Sequence, residues 1–218
     1  MKKYLFILMF AGLFGCTICD DRESPTETGT TFSKYFIWSY IEANDYTLEY
    51  AGHYGKGHII GVHFEGEEVS LNNNQERYME YANFYNDVSY NGNVLPYANI
   101  SLVSSIVSVD IVCDRDFDAE HKAGESLADI VRLYVETPYE FIQYGYVYNG
   151  DYDHLKYGYR YVGIPLEEVC VDNSLLKLIH ESASLRFSKL PLSKGEYNYT
   201  ITIRIDDNEI VRNVVAVY

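Results

Sequence analysis

A row of tyrosines is the first feature of this 218-residue sequence that could do chemistry. Tyrosines fall at every second position of two stretches, which are separated by a run of Asn, Gly and Asp. Since alternate side chains of a strand share a face, pairing the stretches as a hairpin over 141–161 predicts a ladder of rings on which sugars could stack. The alternative is that the rings only cover a sheet or close the core. The candidate ligand-binding residues are Tyr144, Tyr146, Tyr148, Tyr157, Tyr159 and Tyr161.

An acidic segment offers a second kind of chemistry. Its carboxylates stand at positions 1, 3, 5 and 12 of a loop, the spacing at which an EF-hand supplies oxygen ligands to calcium. The match is incomplete, because Ala119 stands where the sharp turn needs glycine and the preceding residues 106–112 predict a strand rather than a helix. We therefore favour an acidic loop without a metal. The weak calcium candidates are Asp114, Asp116, Asp118 and Glu125.

Three histidines, His53, His58 and His63, recur at intervals of five in a glycine-rich stretch. Odd spacing places successive histidines on opposite faces of a strand, and no Asp or Cys partner repeats with them, so we predict two strands joined at 55–57 and not a metal site. The sequence holds no nucleophile-elbow, zinc-protease, phosphate-loop or dinucleotide motif. We therefore expect no enzymatic activity and no cofactor, although the paired carboxylates of a glycosidase could still be assembled in space.

The first 16 residues have the pattern of a bacterial lipoprotein signal. Lys2 and Lys3 precede an apolar stretch that is too short to span a bilayer, and Gly15 places a small residue before Cys16. We expect residues 1–15 to be a signal peptide and Cys16 to be the lipidated N-terminus, so that acyl chains such as palmitate anchor the protein to the membrane. Residues 16–31 predict an acidic flexible tether. The expected location is the outer membrane, on its periplasmic or cell-surface side.

The formal net charge of the sequence is −15, and it becomes more negative when Lys2 and Lys3 leave with the signal. This field repels nucleic acid and anionic headgroups, so we expect no nucleic-acid partner and attachment to the membrane through lipid alone. Apolar residues make up 47% of the chain and aromatic residues 16%, which is ample for a core. We predict one domain over residues 32–218.

Two further cysteines suit an exported protein. Cys113 and Cys170 could form a disulfide in an oxidising periplasm, and closing a loop of that length would stabilise the fold by roughly 4 kcal/mol. Two buried thiols are the equal alternative.

Short apolar or aromatic stretches recur from residue 32 onward, at a spacing typical of a β-sandwich. The clearest element is the last hairpin, where apolar and polar residues alternate over 197–205, residues 206–208 turn, and 210–217 return. Capping residues predict helices at 75–83, 127–135 and 175–181. The expected fold class is mostly β, an immunoglobulin-like or related antiparallel β-sandwich with one to three short helices. The other predicted strands are 32–41, 46–54, 58–64, 100–113, 140–148, 156–164 and 184–189.

Short motifs over residues 95–218 resemble a family of Bacteroidetes lipoproteins of unknown function. They include Pro96-Tyr97-Ala98, Asp116-Phe117-Asp118 with His121, 123–129, Leu185-Arg186-Phe187 with Leu190-Pro191, Gly195-Glu196-Tyr197 and Asp206-Asp207. The resemblance implies an exported, lipid-anchored β-sandwich, with no activity or catalytic residues to carry over. It also implies that the segment after Asp116 is a structural connection and not a calcium loop. The acidic residues after Cys16 resemble the surface-export signal of Bacteroides-type lipoproteins, and a merely solvated linker is the alternative.

Together these features predict a lipid-anchored cell-envelope protein, most simply a noncatalytic module that binds a glycan or a protein ligand. One alternative is a cell-surface hydrolase, which needs a cleft with perturbed acids or histidines. Another is a structural or adhesin component of a surface fibre, which an unpaired edge strand would favour.

Overall fold

The computed structural model describes residues 33–92, 99–147, 155–156 and 158–218. The predicted signal peptide, the predicted lipidation site Cys16 and the predicted tether lie outside the described residues, and so do Tyr148 and Tyr157. Within the described ranges, no helix has the length and hydropathy that crossing a bilayer requires.

The protein is mostly β, with two sheets arranged as a sandwich, which confirms the predicted fold class. The immunoglobulin-like topology stays a prediction. The two helices are α1 (Gln75–Phe84) and α2 (Tyr139–Gln143), and short 3₁₀ turns lie at Ala128–Ile130, Leu166–Glu168 and Ser174–Leu176. The strands are β1 (Ser39–Tyr54), β2 (Gly57–Ser70), β3 (Ile100–Leu102), β4 (Ile106–Cys113), β5 (Val131–Thr137), β6 (Leu155–Lys156), β7 (Tyr159–Pro165), β8 (Ser182–Phe187), β9 (Glu196–Ile205) and β10 (Asn208–Val217).

The larger sheet has seven strands in the order β3-β1-β2-β8-β5-β7-β6, and the smaller sheet has three in the order β10-β9-β4. Neighbouring strands run antiparallel except for β1 and β3, which are parallel. The main core lies between the facing sides of the two sheets.

Strand β9 shows how alternation builds this core. Its odd-numbered residues from Tyr197 to Ile205 are buried, while the residues between them are more exposed. Burying each isoleucine contributes about 1.5–3 kcal/mol. After a two-residue turn, β10 returns alongside β9, which confirms the predicted last hairpin.

The predicted hairpin around the histidines is also confirmed. Strands β1 and β2 pair over 14 register positions and turn at Gly55-Lys56. Gly57 begins β2 where the chain passes very close to β8, since a Cβ atom there would lie 1.8 Å from the carbonyl oxygen of Phe187. No side chain fits at that position without moving the backbone.

The helix predicted at 75–83 is confirmed as α1, which the side chain of Asn74 caps by accepting a hydrogen bond from the backbone of Arg77. The helix predicted at 127–135 is wrong, because most of that segment is β5. The alternate residues Val131, Leu133 and Val135 are buried in the core, so tertiary packing favours a strand here. The helix predicted at 175–181 is reduced to the 3₁₀ turn Ser174–Leu176.

The strand predicted at 140–148 is wrong as well. Pro138 precedes the short helix α2, and the chain then reverses through Gly145 and Tyr146, both of which have a positive φ. A non-glycine residue rarely adopts this conformation, so Tyr146 must be held by tertiary contacts.

Those contacts centre on Asp87, a fully buried carboxylate. It accepts hydrogen bonds from the backbone N–H groups of Phe36 and Ile37 at 2.7 and 2.8 Å, and from the hydroxyl of Tyr146 at 2.8 Å. Burial raises the pKa of Asp87, although these hydrogen bonds oppose the shift. The carboxylate thereby ties the segment 33–38 to the turn after α2.

Around Asp87 lies a second apolar cluster, which joins segment 33–38, α1 and α2 to the outer face of the seven-stranded sheet. Tyr40 belongs to this cluster, whereas its neighbour Ile41 belongs to the main core, so the two clusters lie on opposite faces of β1. One end of the outer face is therefore covered.

The disulfide between Cys113 and Cys170 is not formed. Both residues are free cysteines, Cys113 buried and Cys170 exposed. The Cys113 thiol donates a hydrogen bond to the carbonyl of Arg115 at 2.9 Å, and burial raises its pKa. The alternative of buried thiols therefore holds for Cys113 only.

Of the three histidines, His58 is fully buried and stacks on Phe187 with ring centroids 3.7 Å apart. Within the described residues, neither of its ring nitrogens has a hydrogen-bond partner. Desolvation lowers the pKa of His58 to about 3, so the ring is neutral in the folded protein at pH 5.

We predict that His58→Phe weakens the acid sensitivity of the fold. The unfolded chain takes up a proton at this position below pH 6.5 and the folded chain does not until about pH 3, so acidification favours unfolding. Urea titrations should show that the free energy of unfolding of the wild type drops by about 2 kcal/mol more from pH 7 to pH 5 than that of His58→Phe. The same substitution at the exposed His63 is the control, and parallel pH curves for wild type and His58→Phe would refute the assignment.

Candidate functional site

At the other end of the outer face of the seven-stranded sheet, none of the described residues packs over the strands, and we call this area the open face. It extends across five neighbouring strands from β1 to β7. The strand register places its residues in rows, because directly paired residues share a face. It comprises Thr47 and Glu49 of β1, His63 of β2, Ser182, Ser184 and Arg186 of β8, Arg132, Tyr134 and Glu136 of β5, and Tyr161 of β7.

An arginine that contacts two neighbouring tyrosines dominates the open face. The guanidinium carbon of Arg186 lies 4.3 Å from the ring centroid of Tyr134 and 5.2 Å from that of Tyr161. Arg186 also donates hydrogen bonds to the hydroxyls of Tyr161 and Ser184, the latter at 3.3 Å. Cation–π contacts and hydrogen bonds together hold the flat guanidinium in one place.

The Tyr134 ring is itself seated on a glycine of the neighbouring strand. Tyr134 is directly opposite Gly163, and a Cβ atom on that glycine would come within 2.6 Å of the ring. The missing side chain lets the ring lie over the backbone of β7, an arrangement that stabilises glycine in a strand. Tyr134 therefore serves mainly as the support beneath Arg186.

Tyr161 presents the accessible aromatic surface of this group, with 40% of the residue exposed. Its ring centroid is 5.5 Å from that of Tyr134, and the two planes are tilted by 34°. Burial raises the pKa of Tyr161, so its hydroxyl is protonated at neutral pH.

Beside this group, a shallow groove of about 510 Å³ crosses β1, β2 and β8. Thr47, His63 and Ser182 form one row of its lining, and Glu49 and Gly61 form the next. Gly61 has no side chain, which leaves a low point between polar neighbours. The groove therefore offers hydroxyl, imidazole and carboxylate groups over an accessible floor.

The side chains of His63 and Ser182 lie close enough to interact, with 3.3 Å between Nδ1 and Oγ. A serine hydrolase needs in addition an acid that orients the histidine. In the described part of the chain, no carboxylate hydrogen-bonds the other ring nitrogen of His63. The pair is suited to hydrogen bonding with a ligand.

The tyrosines that the structure describes do not form the predicted ladder. Of Tyr144, Tyr146, Tyr159 and Tyr161, only Tyr161 lies on the open face. Tyr159 is 8% exposed in the second apolar cluster, Tyr146 is bound to Asp87, and Tyr144 lies 54% exposed at the end of α2. Tyr134 and Arg186 were missed as site residues. The alternation of Arg132, Tyr134 and Glu136 with apolar residues indicates a strand with Tyr134 on its outer face. The helix predicted at 127–135 hides this pattern.

The carboxylates of the calcium candidate are already engaged by protein donors. Asp114 accepts from the backbone of Asn198 at 3.0 Å, Asp116 from Lys122 Nζ at 3.1 Å, and Glu125 from the backbone of Lys122 at 2.7 Å. All three carboxylates thus already accept hydrogen bonds from protein groups, as expected for an acidic loop that leaves β4.

The fourth of these acids, Asp118, has the strongest partners. Lys189 Nζ lies 2.5 Å from its Oδ2, and Nδ1 of His121 lies 2.7 Å from its Oδ1. The ammonium of Lys189 above all holds the pKa of Asp118 well below its usual range. Asp118, Glu120 and His121 do bring three potential ligand atoms within 4.8 Å of one another, but Lys189 already supplies a cation there.

Comparisons with protein-family models, with curated proteins and with solved structures give no match for this chain. The functional argument therefore depends on the geometry of the open face.

We predict that calcium does not bind the loop of Asp114, Asp116, Asp118 and Glu125. A divalent ion would have to displace Lys189 and Lys122 from the carboxylates, which removes existing ion pairs. Thermal unfolding of the full chain should show no rise in Tm at millimolar calcium. A rise that disappears in Glu125→Gln would contradict this prediction.

Proposed function

We propose that the protein is a noncatalytic, lipid-anchored binding module of the cell envelope, and that its open face holds a glycan. The observation that carries the proposal is the Arg186 guanidinium held against the rings of Tyr134 and Tyr161, on a sheet face that no described residue covers. The lipid anchor and the envelope location come from the sequence pattern at Cys16.

The shape of the open face suits an extended polymer. Strands in a sheet are spaced about 4.8 Å apart, so the five strands of the open face extend over about 20 Å. The surface is flat because it consists of a sheet face with two glycines, Gly61 and Gly163, in its middle row. A flat surface of this size matches a chain of sugar rings better than a small compact ligand, which prefers a deep pocket.

The chemistry of the open face is also suited to sugars. Sugar rings combine apolar C–H surfaces with many hydroxyl groups, and aromatic rings flanked by polar side chains can satisfy both. Tyr161 offers the aromatic surface, while Ser182, His63 and Glu49 offer donors and acceptors nearby. Because the side chains stand on a hydrogen-bonded sheet, little conformational entropy is lost on binding.

We predict that Tyr161→Ala lowers the affinity for polysaccharide about fivefold or more, since an aromatic side chain that a ligand buries commonly contributes over 1 kcal/mol. Full-length protein in detergent micelles should be titrated against immobilised plant and bacterial polysaccharides. The matched control is Tyr144→Ala, which removes an exposed tyrosine away from the open face. Equal losses in the two variants, or no binding of any polysaccharide by the wild type, would refute the proposal.

One observation favours a second candidate function, assembly into a surface fibre. Strand β10 is at the edge of the three-stranded sheet, and among the described residues no strand pairs with its outer side. Its exposed side chains include Val211, Val215 and Val217, and its charged residues Glu209 and Arg212 lie in its first half. The second half of the edge lacks the charges that usually protect an edge and can pair with a strand of a second copy.

If this edge mediates assembly, Val215→Lys should abolish it, because a lysine on an edge strand opposes edge-to-edge pairing. Sedimentation should give a multiple of the single-chain mass, plus bound detergent, for the wild type and the mass of a single chain for Val215→Lys. Val171→Lys changes a comparably exposed valine outside the sheets and serves as the control. A monomeric wild type would eliminate this candidate.

A further inference from the structure

Two arginines stand side by side on the open face. Arg132 of β5 and Arg186 of β8 are directly opposite in the antiparallel register. Like charges at directly opposite positions destabilise a sheet. The chain has 17 Lys and Arg against 32 Asp and Glu, so the placement of two of these few cations next to each other is unexpected on electrostatic grounds.

Three other arginines of the fold follow the usual arrangement. Arg77 pairs with Glu42, Arg160 with Glu140 and Arg212 with Asp45, each within 2.9 Å of a carboxylate oxygen. Like Arg115, Arg132 forms no ion pair with a carboxylate within the described residues, and it donates to the backbone carbonyl of Gly163 at 2.7 Å. This contact fixes the position of the Arg132 guanidinium without neutralising it.

Both guanidinium groups are thus held before any ligand arrives. The tyrosines and Ser184 orient Arg186, and the Gly163 carbonyl orients Arg132. Opposite side chains on neighbouring strands have Cβ atoms about 5 Å apart, so one anionic group could reach both arginines. A planar guanidinium matches the two oxygens of a carboxylate or a sulfate, and an anion between the pair would relieve their repulsion.

The surroundings of the arginine pair strengthen its attraction for an anion. Ile59 precedes Arg186 in the same row of the sheet and Pro165 follows Arg132, so nonpolar side chains border the pair on both sides. Nonpolar borders lower the local dielectric constant and strengthen a charge–charge contact. The overall charge of −15 repels a polyanion at long range, so any binding of a polyanion must come from a local cationic patch.

We propose that the ligand of the open face is an acidic polysaccharide, whose carboxylate or sulfate groups bind Arg132 and Arg186 while a neighbouring sugar ring contacts Tyr161. This inference rests on the proposed function and narrows it from glycans in general to anionic glycans.

The test compares polymers that differ in charge alone. Full-length protein in detergent should be titrated against polygalacturonate and against its methyl ester, which has the same sugar backbone without the charges. Dextran sulfate and neutral dextran form the second matched pair, so that the two arms distinguish a carboxylate from a sulfate. We expect at least tenfold tighter binding of an acidic polymer than of its neutral form, and a steep loss of affinity as NaCl rises.

The variant Arg132→Gln removes the charge and retains a donor for the Gly163 carbonyl. It should weaken binding of the acidic polymer about tenfold or more and reduce the dependence on NaCl. The control Arg204→Gln makes the same change in net charge on β9, away from the open face, and should bind like the wild type. Thermal unfolding of both variants verifies that they are folded.

The outcomes separate the two proposals. If acidic and neutral polymers bind equally and Arg132→Gln has no effect, the anionic ligand is refuted while a glycan-binding open face stands. If Arg132→Gln and Arg204→Gln weaken binding equally, a general charge effect replaces the arginine pair. If the protein binds none of these polymers or any other polysaccharide, both proposals are overturned.

Discussion

The buried carboxylate of Asp87 is the contact on which the layout of this protein depends. It binds two consecutive backbone N–H groups, those of Phe36 and Ile37, and the hydroxyl of Tyr146. A charge in this position is costly unless it is fully hydrogen-bonded, so the three donors must be present together. Asp87 therefore fastens the segment before β1 and the turn after α2 onto the same end of the large sheet.

The position of the open face follows from this arrangement. One side of the seven-stranded sheet packs against the three-stranded sheet, and the other side is covered at one end, where Asp87 holds segment 33–38, α1 and α2. Beyond these elements no described residue covers the sheet, and its outward side chains change from apolar to polar and charged. The same physical requirement, that apolar faces be buried, thus determines both the core and the border of the candidate site.

Two buried histidines show how strongly the immediate surroundings of a side chain change its pKa. His58 lies among rings and has a lowered pKa, whereas His121, which burial alone would also make less basic, has a raised pKa because Asp118 and Asp129 hydrogen-bond its ring. Protonation consequently destabilises the fold at His58 and stabilises it at His121. The arginines differ in the same way, since Arg77, Arg160 and Arg212 pair with carboxylates whereas Arg132 and Arg186 lie directly opposite each other on the open face.

The sequence by itself determined the fold class, helix α1, the hairpin of β1 and β2, and the hairpin of β9 and β10, because local periodicity and turn residues set these elements. It also predicted an acidic loop after β4, without indicating that Lys189 would bind Asp118. Only the tertiary structure decided the rest. Residues 127–135 became β5 because the core needed Val131, Leu133 and Val135 on one side, and residues 139–143 became α2 because Pro138 and the contact of Tyr146 with Asp87 overrode the alternating pattern. The candidate site depends on pairing between strands distant in sequence, and no local pattern encodes that Arg132 lies opposite Arg186 or that Tyr134 rests on Gly163.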